Sequence, residues 1–173
     1  MTEHGALSVA SEWVCRWVPQ IPPGALVLDL ACGSGRHTRL LARMGFSVRA
    51  VDRDASAVAS LCELPGVESL IADLEHAPWP YSGQCFGGIV VTNYLHRPLL
   101  PILVDSLEPG GVLIYETFAV GNERFGRPTN RAFLLHTGEL LDAVAGRLRI
   151  IAYEDRYVDT PKPAMVQRIC AQR

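Results

Sequence analysis

No stretch of this 173-residue chain approaches the roughly 18 consecutive apolar residues that a membrane span needs. The opening residues, MTEHGALSVASEW, lack a basic stretch leading into an apolar one, so no secretory leader is expected. A strong charge of one sign is also lacking. The formal net charge of −2 weighs against a nucleic-acid partner, which would favour a basic excess. The cysteines Cys15, Cys32, Cys62, Cys85 and Cys170 are odd in number and nowhere closely spaced. This argues against a disulfide framework and against a zinc site. They read as buried small hydrophobes in a reducing, cytoplasmic compartment. His4, His37, His76 and His136 show no metal-ligand spacing, and no metal is expected. The chain has no Gly-x-Ser-x-Gly elbow and no Gly-Lys-Ser/Thr phosphate loop. It has no repeat, low-complexity tract or linker either, so residues 1–173 are expected to form one domain around one core.

What is present is an alternation of strand and helix signals. Leu7, Ala10, Val14 and Trp17 fall at helical spacing, and the segment Pro19 to Gly24 stops that helix. The run Ala25 to Ala31 is almost continuously apolar, as in a strand covered on both faces of a parallel sheet. A glycine-rich turn follows, then a helix presenting Leu40, Leu41 and Met44 and closed by Gly45. Further strands are expected at Phe46–Val51, Val67–Ala72, Phe86–Thr92 and Val112–Glu116. Helices are expected from an Asp54 cap through Leu61 and from Pro98 to Leu107. Glu108 to Gly111 reads as a turn, and Phe118 to Asn130 as a loop without internal structure. Thr137 is the expected cap of a short helix ending at Gly146. Leu148–Tyr153 and Met165–Cys170 then follow each other as strands, which predicts an antiparallel pair at one edge of an otherwise parallel, doubly wound sheet.

Two places in this pattern carry chemistry. The strand Val27 to Leu30 runs into Cys32-Gly-Ser-Gly35 and a helix. Glycines there let the backbone turn tightly and let a ligand approach it, and ligands bind at the carboxyl ends of such strands. The next strand ends in Asp52, about 20 residues beyond the first glycine, where an acid accepts hydrogen bonds from ribose hydroxyls. These residues suit any adenosine-type nucleotide. A dinucleotide site would place a third small residue at position 38, where this chain has Thr38. Asp29 is expected to be buried just before the turn.

At this point the chain resembles a known family. Leu28-Asp-Leu-Ala-Cys-Gly-Ser-Gly35 looks like the first motif of the class I S-adenosylmethionine-dependent methyltransferases. Ile71-Ala-Asp-Leu74 resembles the third motif, and Leu107-Glu-Pro-Gly-Gly-Val-Leu113 the turn before the fifth strand. The order and spacing agree from about Ala25 to the end. The compact chain looks most like the small tellurite-resistance and thiopurine type. The resemblance implies a Rossmann-like sheet of seven strands, mostly parallel, with an antiparallel last strand between the fifth and sixth. It implies S-adenosylmethionine as cofactor, with Gly33 and Gly35 facing its methionine part. Asp52 would hold the ribose and Arg53 would lie beside the adenine. Asp73 would accept from the adenine amino group, near the Leu74 backbone. Asn93 would lie by the methionine portion, and Asp29 would orient the loop or, through water, the cofactor's amino group. Many relatives carry Phe-Asp where this chain has Phe86-Gly87, a departure expected to bear on the first turn of that strand.

Methyl transfer is a displacement in which the protein mainly supplies orientation, so it requires no fixed catalytic constellation. His96 is a candidate general base, or else a helix-start residue bonding to backbone. Tyr94 is placed to pack against the sulfonium or the acceptor. Glu116 points at the same crevice or anchors a loop by an ion pair. Arg124, Arg127 and Arg131 would bind an anionic acceptor, or be solvated, or pair with Glu123 and Glu139. The expected activity is transfer of a methyl group to a small-molecule acceptor, anionic ones included. The alternatives are a non-catalytic S-adenosylmethionine-binding protein, an NAD-dependent oxidoreductase and, less favoured by charge, an RNA methyltransferase.

Overall fold

The computed structural model describes residues 9–173; Leu7 of the expected lead helix lies outside them. Strand β1 (Leu26–Leu30) pairs in parallel with β2 (Ser47–Asp52) on one side and β4 (Phe86–Thr92) on the other. β3 (Val67–Ile71) extends the sheet beyond β2, and β5 (Leu107–Phe118) extends it beyond β4. The last two strands, β6 (Arg149–Val158) and β7 (Ala164–Gln172), complete the order β3-β2-β1-β4-β5-β7-β6. β7 runs antiparallel to both β5 and β6, as the resemblance implied.

The apolar runs divide between two cores because successive side chains of a strand point to opposite faces. On one face Leu28, Leu30, Ile89, Val91 and Tyr115 pack with residues of helices α4 (Leu99–Asp105) and α5 (Glu139–Val144). On the other, Val27, Val48, Val90, Ile114 and Cys170 pack with α1 (Glu12–Trp17) and α2 (Arg36–Arg43). A fifth short helix, α3 (Ala55–Ala59), is capped by Asp54, whose carboxylate accepts from the N–H groups of Ser56 and Ala57.

Several expectations need correction. β5 begins at Leu107, so Glu108 to Gly111 is an irregularity inside the strand. The pairing passes from Phe86–Leu107 directly to Gly88–Val112. A side chain at Gly111 would stand 2.9 Å from the carbonyl oxygens of Glu108 and Phe86. Gly87 is likewise imposed by packing, since a Cβ there would lie 2.5 Å from that of Ala25. Thr137 does not cap α5; Gly138 occupies the cap with φ +75°. The Leu140 N–H is satisfied from the side instead, by the buried Gln167 of β7 at 2.8 Å. The segment after β5 is pinned. Asn122, 1% exposed, accepts from the Met165 N–H and donates to the Pro128 carbonyl. Met44 is exposed. Of the cysteines Cys32 and Cys170 are buried, whereas Cys15, Cys62 and Cys85 are exposed. Cys15 falls on the solvent side of α1 while Trp13 and Val14 take the core side.

One buried group sets a pH dependence. Asp29, 2% exposed, accepts from the Thr38 hydroxyl at 2.5 Å, and burial pushes its pKa from 3.8 up to about 6. The folded chain therefore keeps a proton there that the unfolded chain gives up, and stability is lost as pH rises from 4 to 6. Urea unfolding of the wild type and Asp29→Asn at pH 4, 5, 6 and 7 should show the variant gaining on the wild type, by about 3 kcal/mol at most, then levelling off above pH 6.

Candidate functional site

The site begins where β1 ends. The chain turns through three left-handed residues, Ala31 (φ 53°), Gly33 (φ 52°) and Gly35 (φ 77°). Two carboxylates hold this turn. Asp52, at the end of β2, accepts from the Gly33 N–H at 2.8 Å with one oxygen and from the Asp54 N–H at 3.0 Å with the other. Asp29, beneath, ties the turn to α2 through Thr38. This bond explains why position 38 carries a hydroxyl where a dinucleotide fold has a small residue.

The two glycines have different jobs. A Cβ on Gly35 would meet Leu61 Cδ2 at 2.3 Å, whereas one on Gly33 would meet no atom within 4 Å. Gly35 is required by helix packing, and Gly33 faces open space of the kind that a closely approaching ligand fills.

Beside Gly33 lies a cavity of about 210 Å³, lined by Asp52, Arg53, Asp73, Leu74, Asn93 and Tyr94 among others. The structure thus gathers residues from the ends of β2, β3 and β4 as the sequence predicted. Asp73 also has a local task. Its carboxylate accepts from the N–H groups of Glu75 and His76, which with the His76 ring at 3.0 Å hold its pKa below the usual carboxylate range. The Tyr94 hydroxyl is buried without a partner among the described residues, and burial raises its pKa to about 12.

A second cavity, about 310 Å³, opens on the other side of Asn93, between Ser11, Arg36, Glu116, Phe118, Val166 and Arg168. A third, about 210 Å³, lies between Tyr94, Phe118 and Phe133 and again includes Asn93. Asn93 stands at their meeting point in a left-handed conformation, φ 55°. Glu116 both lines the second cavity and forms an ion pair. It accepts from the Ser11 hydroxyl at 2.8 Å and lies 2.5 Å from Arg168 Nε, a close ionic contact without the in-line angle of a hydrogen bond. Arg168 also donates to Glu154 at 3.3 Å. Tyr94 and Glu116 therefore reach the crevice. His96 lines none of the three cavities; it is half-buried at the approach to α4, and its carbonyl accepts from the Leu99 N–H. Arg124, Arg127 and Arg131 also stay outside them, with Arg131 3.7 Å from Glu123. Glu139 is taken by Arg97, which the sequence did not single out, through a two-pronged pair at 2.6 and 3.0 Å.

Sequence reasoning missed Ser11, Arg36, His37 and Arg168. His37 is 2% exposed, accepts from the Ser11 N–H at 3.0 Å, and is driven by burial and the Arg36 charge to a pKa of about 3. It is neutral at physiological pH and serves as a backbone acceptor. Among the described residues no group of acidic, His and Cys side chains could hold a metal ion, and no helix is long and apolar enough to cross a membrane.

A family described as a methyltransferase domain matches residues 27–111, from β1 through the irregular start of β5. The solved structure of TehB from Haemophilus influenzae superimposes with a TM-score of 0.78 at 17% identity, covering 95% of this chain and 62% of that one. The S-adenosylmethionine-dependent methyltransferase from Mesorhizobium loti gives 0.72 at 20% identity, covering 95% and 98%. Residues 27–111 belong to the methyltransferase-domain family, and the chain shares the fold of S-adenosylmethionine-dependent methyltransferases. Among curated relatives, the trans-aconitate 2-methyltransferase of Paracidovorax citrulli is 32% identical over 146 residues, 76% of this chain and 54% of its own. The chain spans about half the length of the curated relatives it matches. The family's cofactor fits what this chain provides: an open glycine cradle at Gly33, a carboxylate beside it, and a cavity of nucleoside size.

The glycines supply a test. Gly35→Ala should lower the melting temperature by several degrees, because Leu61 must move. Gly33→Ala should cost less stability, about 1 kcal/mol for its left-handed φ, but weaken S-adenosylhomocysteine binding at least tenfold. Thermal melts and calorimetric titration of both variants check this.

Proposed function

We propose that this chain transfers a methyl group from S-adenosylmethionine to a small acceptor, and that anionic acceptors are preferred. The observation that carries the reading is the position of Asn93, between a cavity with a ribose-type carboxylate and one bordered by Arg36 and Arg168. When bound, the cofactor supplies an electrophilic methyl carbon on sulfonium; the acceptor's lone pair forms the new bond as the carbon–sulfur pair returns to sulfur.

The chain's own residues orient these partners. Asp52 keeps the turn open and accepts from the ribose hydroxyls. Arg53 flanks the adenine, and Asp73 with the Leu74 backbone reads its edge. Gly33 and Asn93 face the methionine part. Tyr94 closes the crevice over the reacting centre. An ionised carboxylate acceptor has no proton to lose, so the absence of His96 from the cavities costs such a reaction nothing. The curated relatives named for trans-aconitate, an acid, support the anionic preference. The same reading keeps residues 1–173 as one domain acting in the cytoplasm.

Titration calorimetry with S-adenosylmethionine and, separately, NADH tests the proposal. Micromolar binding of the former alone is expected, and Asp52→Asn should weaken it at least tenfold, about 1.4 kcal/mol. Preference for NADH, or unchanged affinity in Asp52→Asn, would refute the placement of the cofactor.

A further inference from the structure

The second cavity, beside Asn93, has an uneven charge economy. Arg168 is held between Glu116 and Glu154, so its charge is already answered. Arg36 differs. It starts α2 directly after the glycine turn, is half-buried, and lines the cavity. A guanidinium offers five N–H donors in a planar fork. Among the described residues Arg36 makes one hydrogen bond, to the Val9 carbonyl at 3.3 Å. Glu116 lies near enough to feel its charge, but the oxygens of Glu116 are engaged by Ser11 and Arg168.

One side of the wall, Phe118, Val158, Pro161, Ala164 and Val166, is apolar but for Thr160. Lys162, the chain's single lysine, is exposed and lines the same cavity, as does the exposed Glu12. An acid with one head can therefore place its carboxylate on the Arg36 fork and its body on the apolar wall. A second carboxylate would lose water against Phe118, Val158 or Val166 and find no partner there, an unfavourable burial.

Resting on the methyl-transfer reading, we infer that the acceptor is an apolar-bodied acid with a single carboxylate, anchored by Arg36, in contrast to the three-headed acid named in the relatives. A carboxylate on Arg36 has two sources, the acceptor and the cofactor's own methionine part, and the experiment separates them.

With the protein saturated with S-adenosylhomocysteine, calorimetry would compare phenylacetate, its neutral isostere phenylacetamide, and trans-aconitate. Phenylacetate should bind at least tenfold tighter than either. Arg36→Gln should erase the difference between acid and amide, and Arg36→Lys should retain part of it. The affinities of both variants for S-adenosylhomocysteine and for 5′-methylthioadenosine, which lacks the amino-acid part, should stay within twofold of the wild type. Equal binding of acid and amide, or tighter binding of trans-aconitate, overturns the inference. So does an Arg36→Gln variant that loses S-adenosylhomocysteine tenfold while keeping 5′-methylthioadenosine, which would assign Arg36 to the cofactor. A wild-type chain that binds no S-adenosylhomocysteine at all refutes the underlying methyl-transfer reading and the inference with it.

Discussion

The bond from the Gly33 N–H to Asp52 governs the geometry of this molecule's working edge. Left-handed backbone is unfavourable for most residues, and the turn after β1 passes through that region at Ala31, Gly33 and Gly35. Such a turn keeps its shape only if its amides are answered. Asp52 answers Gly33, the Val51 carbonyl accepts from Cys32, and the Gly35 N–H closes back on the Cys32 carbonyl. Because Asp52 ends β2, the parallel pairing of β1 with β2, Leu30 opposite Val51, fixes where that carboxylate stands. The sheet register and the binding turn are thus one constraint.

The far side of the site depends on the antiparallel end of the sheet. β7 inserts between β5 and β6 and carries two side chains of different purpose. Gln167, fully buried, accepts from Leu140 and donates to the His136 carbonyl and to Asp155, so its amide is satisfied while it docks α5. Arg168, one residue later and on the other face, closes on Glu116 of β5 and Glu154 of β6. Glu116 in turn holds Ser11, which caps α1. The cap of the first helix is therefore fastened to β5, and the second cavity is enclosed by segments at opposite ends of the chain.

The residues brought together near Gly33 were readable because each lies at the end of a strand whose apolar run is unmistakable: Val27 to Leu30, Val48 to Val51, Ile89 to Val91. Parallel pairing then places Asp52, Asp73 and Asn93 side by side without further information. Residues whose role depends on contacts across the chain were not readable. Ser11 before Glu12 is a recognisable cap, but nothing local says that its hydroxyl meets Glu116, which is 105 positions away. Arg36 and Arg168 look like ordinary surface cations in sequence, and the arginines of the segment after β5, open there to anion binding, solvation or ion pairing, line none of the three cavities around Asn93. Thr137 lost the capping role to Gly138, and Gln167 of β7 supplies the acceptor for the Leu140 N–H. Glu108 to Gly111 kept strand pairing at both flanks, which a proline and two glycines do not advertise.

The turn after β1 and the ends of β2, β3 and β4 are proposed to form one cofactor-binding surface. Amide chemical shifts, followed while the ¹⁵N-labelled protein is titrated with S-adenosylhomocysteine, test it most directly. The largest changes are expected at Gly33, Asp52, Arg53, Leu74 and Asn93, with the amides of Arg124 to Gly126 unmoved. Changes centred on the segment after β5, or none at the Gly33 turn, would contradict it.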